Sequence, residues 1–196
     1  MDEDAELVAR VRAGEEQAFV TLATRHHSTM QRIARTYVAS AAVAEEVVQD
    51  TWLAVLRGLD GFKERSSFQT WLLAILVNRA RSTGVHEHRS VAIGDAGPAV
   101  DSSRFDESGA WMSPPLHWVE ESDSRLLAEG LADRIQATMR ELPERQREVV
   151  MLRDVAELSA REVCEALEIS EANQRVLLHR GRSHLRQALE ADLGRI

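Results

Sequence analysis

The sequence predicts an all-α protein, with two small helical domains joined by a long acidic linker. Three observations carry this. Apolar residues recur at spacings of three and four along successive segments. Runs of alternating apolar residues bounded by hairpin turns are missing, so no sheet is expected. Between 83 and 123 the periodicity vanishes, and Gly, Pro, Ser and acids take over. The expected boundaries are 1–85, a linker over 86–123, and 124–196.

Each element has its own warrant. Leu7, Val8, Val11, Ala18, Phe19 and Leu22 make an apolar set over 5–24, interrupted by Gly14, so one helix or two fit the pattern. Met30, Ile33, Ala34 and Tyr37 continue a helical face over 25–40. Val43, Val47, Val48, Thr51, Trp52, Val55, Leu56 and Leu59 give a broad apolar face to a helix over 42–59. A polar loop, 62–67, precedes a helix over 68–82 that turns Leu72, Ile75, Leu76 and Ala80 inward. In the linker, Pro98, Pro114 and Pro115 break any helix, yet Trp111, Met112, Leu116 and Trp118 form an apolar cluster. That cluster is expected to dock back onto a domain of the same chain or to meet a partner. Beyond it, Leu126, Leu127, Leu131, Ile135 and Met139 mark a helix over 124–141. Pro143 then opens one that runs to about Asp154.

The most informative stretch is 159–189. Ser159 followed by Glu162 is a capping-box signature. Val163, Ala166 and Leu167 share a face of the helix it starts. Ser170 can cap a second helix whose inner face is Gln174, Leu178, Gly181 and Leu185. Gly181 allows a close helix approach. The other faces carry Arg175, Arg180, Arg182 and Arg186, and no acid occurs from Asn173 to Leu189. In a chain of 196 residues and net charge -8, such a helix points to an anionic partner. A short helix, a tight turn and an arginine-bearing helix suit the major groove of DNA.

Charge is unevenly spread. Residues 91–123 hold one arginine against seven acids, and 61–90 hold five basic residues against two acids. Cys164 is the only cysteine, so no internal disulfide or cysteine-based zinc cluster can form, and core packing is its expected role. His26 and His27 are adjacent and so diverge by about 100° on a helix. His86 and His88 are expected at the surface. No metal and no cofactor is therefore expected. No apolar run approaches the roughly 20 residues of a membrane span. The acidic N-terminus lacks a signal pattern, so a cytoplasmic location is expected.

Two separated blocks resemble one family. The first is Glu45 to Leu59 (EEVVQDTWLAVLRGL) followed by Phe62 to Arg79 (FKERSSFQTWLLAILVNR); the second is Leu142 to Leu152 (LPERQREVVML) with the helix pair after it. Together they resemble the extracytoplasmic-function sigma factors of bacterial RNA polymerase. The resemblance implies a region 2-like bundle and a region 4-like helix-turn-helix domain in a promoter-specificity subunit. Region 2 would dock on the β′ clamp helices of core polymerase through Glu45, Glu46, Gln49, Asp50, Trp52 and Leu56. It would open the −10 element through Lys63, Arg65, Ser66, Ser67, Phe68, Asn78 and Arg79. Opening DNA needs a place for an unstacked base and cations for phosphates, and this loop offers both kinds of group.

Region 4 would touch the β flap and read the −35 element of promoter DNA. Base readout would fall on Asn173, Arg175, Val176 and His179, with Ser170 also in the −35 DNA-binding set and Arg180, Arg182 and Arg186 on phosphates. The chain has Ala172-Asn-Gln-Arg-Val-Leu177 where the family often has Gly-Thr-Val-Lys-Ser-Arg. Exposed Val176 or Leu177 would then suit a thymine methyl. The resemblance also implies an anti-sigma partner. Two other classes fit the sequence less well. A free-standing helix-turn-helix regulator leaves the 45–79 block unexplained. An enzyme lacks a phosphate loop, a nucleophile with a base, and a ligand cluster.

Overall fold

The computed structural model describes residues 3–87, 112 and 134–193, and among these every regular element is helical. The linker residues Trp111, Leu116 and Trp118 lie outside the described residues, as do Leu126, Leu127, Leu131, His88 and the side chain of His86; Met112 is exposed. By contact the chain forms two compact units. One comprises Met1–Ser90 with Met151–Ser170, the other Val91–Val150 with Glu171–Ile196.

The first unit begins with α1 (Glu3–Arg12) and α2 (Glu16–Ala34). Gly14, at φ 84°, separates them and resolves the ambiguity at the N-terminus in favour of two helices. The expected apolar face over 25–40 belongs mostly to α2 itself, which stops at Ala34. Tyr37 and Val38 are buried in the turn beyond. Ser40 caps α3 (Ala41–Gly58) by accepting from Val43 N at 3.2 Å. A single 3₁₀ turn, Leu59–Gly61, leads to the polar loop and α4 (Phe68–Glu87).

The four helices enclose Leu7, Val8, Leu22, Met30, Ile33, Val47, Val48, Val55, Leu72, Leu73 and Leu76, all buried. Two polar groups are also withdrawn there. Asp4 holds buried His26 at 2.7 Å and Arg25 at 2.6 Å, fastening α1 to α2. Burial raises the Asp4 carboxyl pKa, but the interactions with His26 and then Arg25 outweigh it and hold it below the ordinary range.

The same unit contains a π-helical turn, Met151–Val155, and α7 (Ala160–Leu167). The turn shows itself in Ala156 N bonding Met151 O, five residues back, at 3.0 Å. It ends the helix that the sequence was expected to continue to Asp154. The capping box of α7 is formed as its sequence predicts. Glu162 N bonds Ser159 Oγ at 3.3 Å, and Ser159 N bonds Glu162 Oε2 at 2.9 Å. Val163 and Leu167 are buried, and α7 packs on α4.

In the second unit the described helices are α5 (134–141), α6 (Glu144–Val150) and α8 (Glu171–Leu193). Gln174, Leu178, Gly181 and Leu185 are all buried, so the inner face of α8 is the one expected. At Gly181 a β-carbon would lie 2.6 Å from Val150 Cγ2 and 3.3 Å from Gln146 O. Only glycine permits α6 and α8 to meet this closely.

Candidate polymerase and nucleic-acid interfaces

The exposed side of α3 presents Glu46, Gln49, Asp50, Leu53 and Leu56 to solvent. Beside it α2 presents Phe19, Ala23, Thr24 and His27, and a groove runs between the two helices. Trp52 is its floor, only 8% exposed, with Phe19 edge-on at 5.5 Å and 89°. Leu53 is 50% exposed, Leu56 44% and Val20 45%. Two large aliphatic side chains of the groove, Leu53 and Leu56, exposed beside one aromatic floor and ringed by carboxylates and amides, suit a partner helix. Glu45 is half-buried because Gln31 donates to it and Gln49 Nε2 approaches it at 3.5 Å.

The loop 62–67 is held at both ends by aromatic packing. Phe62 stacks on Trp71 at 4.8 Å and 23°, and Phe68 meets Phe62 at 6.1 Å. Arg12 fastens the near end: its guanidinium donates to Leu59 O at 3.1 and 3.2 Å, to Phe62 O, and to Glu64 Oε1 at 2.7 Å. Glu64 sits at φ 54°, a left-handed turn that projects its neighbours outward. Lys63 and Arg65 are exposed at the tip, while Ser66 and Ser67 are half-buried. Ser67 Oγ accepts from Thr70 N at 3.2 Å and so caps α4. Asn78 is exposed one face further on, and Arg79 approaches Asp50 at 4.0 Å.

Glu162 joins this cap. Its Oε1 accepts from Ser67 Oγ at 2.9 Å and lies 3.2 Å from Thr70 Oγ1, while Oε2 serves the α7 capping box. Burial raises its pKa, but hydrogen bonds from the Ser159 backbone and hydroxyl, Ser67 and Thr70 outweigh this and hold it below the usual range. Glu162 is therefore a carboxylate with both oxygens engaged.

On α8, Asn173, Arg175 and Val176 are exposed near the start, as is Ser170 just before it. Arg175 pairs with Glu171 at 3.4 Å, both largely in solvent. His179, Arg180 and Arg182 are half-buried.

Two expected contacts are corrected. Phe68 is 2% exposed, packed on Phe62, Trp71 and His26, so it offers no stacking surface. Arg186 is 4% exposed and bonds Glu190 at 2.9 Å, one turn on, which withdraws it from any phosphate. Glu190 lies one residue past the acid-free stretch, and i,i+4 spacing was the available signal. Sequence reasoning also missed Leu53, the Arg12 clamp and the engagement of Glu162. Leu53 could have been found, because it does not lie on the buried face of its helix. Among the described residues no group of His, Cys, Asp and Glu can hold a metal, and no helix is long and apolar enough to cross a membrane.

Among the described residues these features make a helical protein with an apolar groove between two helices and two cation-bearing elements. Comparison with known proteins narrows the class. Residues 22–83 match the family model described as sigma-70 region 2, and residues 132–185 match sigma-70, region 4. The ECF RNA polymerase sigma-E factor of Salmonella typhimurium is 30% identical over 179 residues, covering 91% of this chain and 90% of that protein. The protein of the same name from Escherichia coli is equally similar, with the same coverage. A solved structure of CnrH, in complex with the cytosolic domain of CnrY, shares the fold at a TM-score of 0.70 and 24% identity. It covers 97% of this chain and 99% of that one. The sigma factor RpoE of Bartonella quintana, solved with the anti-sigma factor NepR, shares it at 0.62 and 19% identity, covering 89% of this chain and 98% of that one. The chain belongs to the extracytoplasmic-function sigma factors of the sigma-70 family, and its function is that of a sigma factor in transcription initiation.

Proposed function

We propose that the chain binds core RNA polymerase through the α2–α3 groove and directs it to promoters through the 62–67 loop and α8. The functional division follows the sequence, with 1–85 for polymerase binding and the −10 element, 86–123 as linker, and 124–196 for the −35 element. The observation that carries this reading is the joint match to regions 2 and 4, in order, in one chain. The groove supports the polymerase contact. Trp52 and Leu56 supply the apolar centre, Leu53 extends it, and Glu45, Glu46, Gln49 and Asp50 form its polar rim.

For the −10 element, Lys63 and Arg65 meet phosphates, and Ser66 and Ser67 offer hydroxyls to an unstacked base. Asn78 and Arg79 lie toward the upstream edge. For the −35 element, Asn173, Arg175 and Val176 reach base edges, with Ser170 and His179 flanking. Arg180 and Arg182 follow the phosphates. The chain acts in the cytoplasm by binding alone, with no chemistry of its own. Its relatives by fold are solved with partners, CnrH with the cytosolic domain of CnrY and RpoE with the anti-sigma factor NepR. That supports control by an anti-sigma partner here.

Run-off transcription with purified core enzyme on a genomic promoter library tests this. The expected result is chain-dependent initiation at a discrete promoter set. Absence of core binding together with tight autonomous binding to duplex operators would overturn it.

A further inference from the structure

Helix α1 lies before the residues matched to region 2, which begin at 22, yet it braces both ends of the 62–67 loop. Near its start, Asp4 binds His26 at 2.7 Å, and the His26 ring lies 5.9 Å from that of Phe68, the first residue of α4. At its end is Arg12. An arginine in a last turn ordinarily serves the carbonyls of its own helix. This one reaches about fifty residues along the chain instead, to Leu59 O at 3.1 and 3.2 Å, to Phe62 O, and to Glu64 Oε1 at 2.7 Å. Its guanidinium carbon lies 6.0 Å from the Phe62 ring centre, and its side chain is 27% exposed. A planar guanidinium with five donors can hold three such acceptors together.

Glu64 is the acid between Lys63 and Arg65, the two cations at the loop tip. Left free, its carboxylate would pair with one of those cations and repel any phosphate that approached them. Arg12 takes it up, and so helps to hold Glu64 at φ 54°, a conformation that costs an L residue free energy. We propose that Arg12 is a positioning residue for promoter opening, which keeps the Glu64 carboxylate out of the phosphate path of Lys63 and Arg65. The proposal rests on the role given above to the 62–67 loop. It assigns α1 a part in opening DNA, through a residue that itself touches no DNA.

The test uses core polymerase with the full chain, on the promoter giving the strongest run-off signal from the library. Permanganate reactivity of thymines in the −10 element follows opening at low salt. Arg12→Met keeps an unbranched apolar stem beside Phe62 and removes every donor. The expected result is opening about five-fold slower than with the parent, the scale of one close like-charge contact near a protein surface. Adding Glu64→Gln should return the rate to within about two-fold of the parent, because the carboxylate is gone. Arg12→Lys alone should do the same, since an ammonium can hold the carboxylate although it lacks the fork that also serves two carbonyls. Affinity for core enzyme, read by biolayer interferometry, should match the parent throughout. Should Arg12→Met fail to melt cooperatively, Arg12→Gln takes its place in the same comparison. Parental opening by the Arg12 variant overturns the proposal. So does a defect that persists after Glu64→Gln or in Arg12→Lys, because Arg12 is then only a clamp on the backbone. Loss of core affinity in step with opening overturns it too, since the whole bundle is then disturbed. Lys63→Ala with Arg65→Ala separates this proposal from the loop reading. If that double variant opens slowly while Arg12→Met does not, the role of Arg12 alone fails. If the double variant opens at the parental rate, the loop reading fails and the role of Arg12 with it.

Discussion

Gln174 shows how a single side chain can be readable in sequence and still surprise in structure. Its spacing with Leu178, Gly181 and Leu185 placed it on the inner face of α8, and it is 1% exposed. Its amide was the departure from an apolar pattern. The structure gives that departure a cost, since Nε2 finds no hydrogen-bond partner among the described residues. Replacing it with leucine should raise stability by about 1 kcal/mol, the usual scale for removing an unsatisfied buried amide. Urea unfolding of Gln174→Leu checks this, with a midpoint shift and an unchanged slope expected. Arg186 illustrates the opposite limit. Its charge was legible, but its burial depends on Glu190 and on the packing of α8, which spacing within an acid-free window did not include. Phe68 follows the same rule: an aromatic at the start of a helix reads equally as surface or core until Phe62, Trp71 and His26 are seen around it.

At the scale of elements, the helices themselves were largely legible, because apolar spacing and caps are local signals. The capping box at Ser159 and Glu162, the break at Gly14 and the inner face of α8 follow from sequence alone. The π turn at Met151–Val155 does not, since it arises where the chain adjusts to packing and carries no Gly or Pro to mark it. Gly181 was legible as a point of close approach, and its neighbour is now known to be α6. Gly181→Ala should destabilise by about 2 kcal/mol, because Val150 and a backbone carbonyl of Gln146 leave no room and overpacking forces them apart. Thermal unfolding with a lower midpoint would show it, and an unchanged midpoint would mean that α6 yields freely.

The attachment of α1 to α2 is electrostatic as well as apolar and gives a second prediction at this scale. The folded Asp4 carboxyl titrates below its unfolded value. Its contribution is therefore fully present above the unfolded pKa and is lost as pH falls through the folded one. Stability of the parent should decline from about pH 4 downward. Asp4→Asn should be less stable near neutrality and lose less over that acid range. Parallel slopes for the two proteins in acid would show that Asp4 is not the group responsible.

At the scale of the whole molecule, sequence order and spatial grouping diverge. Residues 151–170 fall within the region 4 match yet are grouped by contact with the N-terminal helices. No local pattern announces this, because the bonds from Ser67 and Gln69 span some 90 residues of chain. The groove proposed for polymerase was half legible for a related reason. The face of α3 could be read from its own period, but Phe19 and Ala23 come from α2 and are joined to it only by the fold. The groove can be tested apart from the 62–67 loop, since its residues lie elsewhere on the same unit. Leu53 is half exposed, so Leu53→Glu should cost the fold less than about 0.5 kcal/mol, as surface changes usually do. It should nevertheless weaken association with core polymerase at least about ten-fold, because a charge replaces apolar area beside the Trp52 and Leu56 centre of the contact. Single-stranded DNA binding by the isolated chain should stay as it is. Biolayer interferometry against core enzyme, with melting temperature as the control, separates these effects. Full-strength polymerase binding by a folded Leu53→Glu protein would remove the groove from the interface and leave the match to region 2 without a docking surface in this chain.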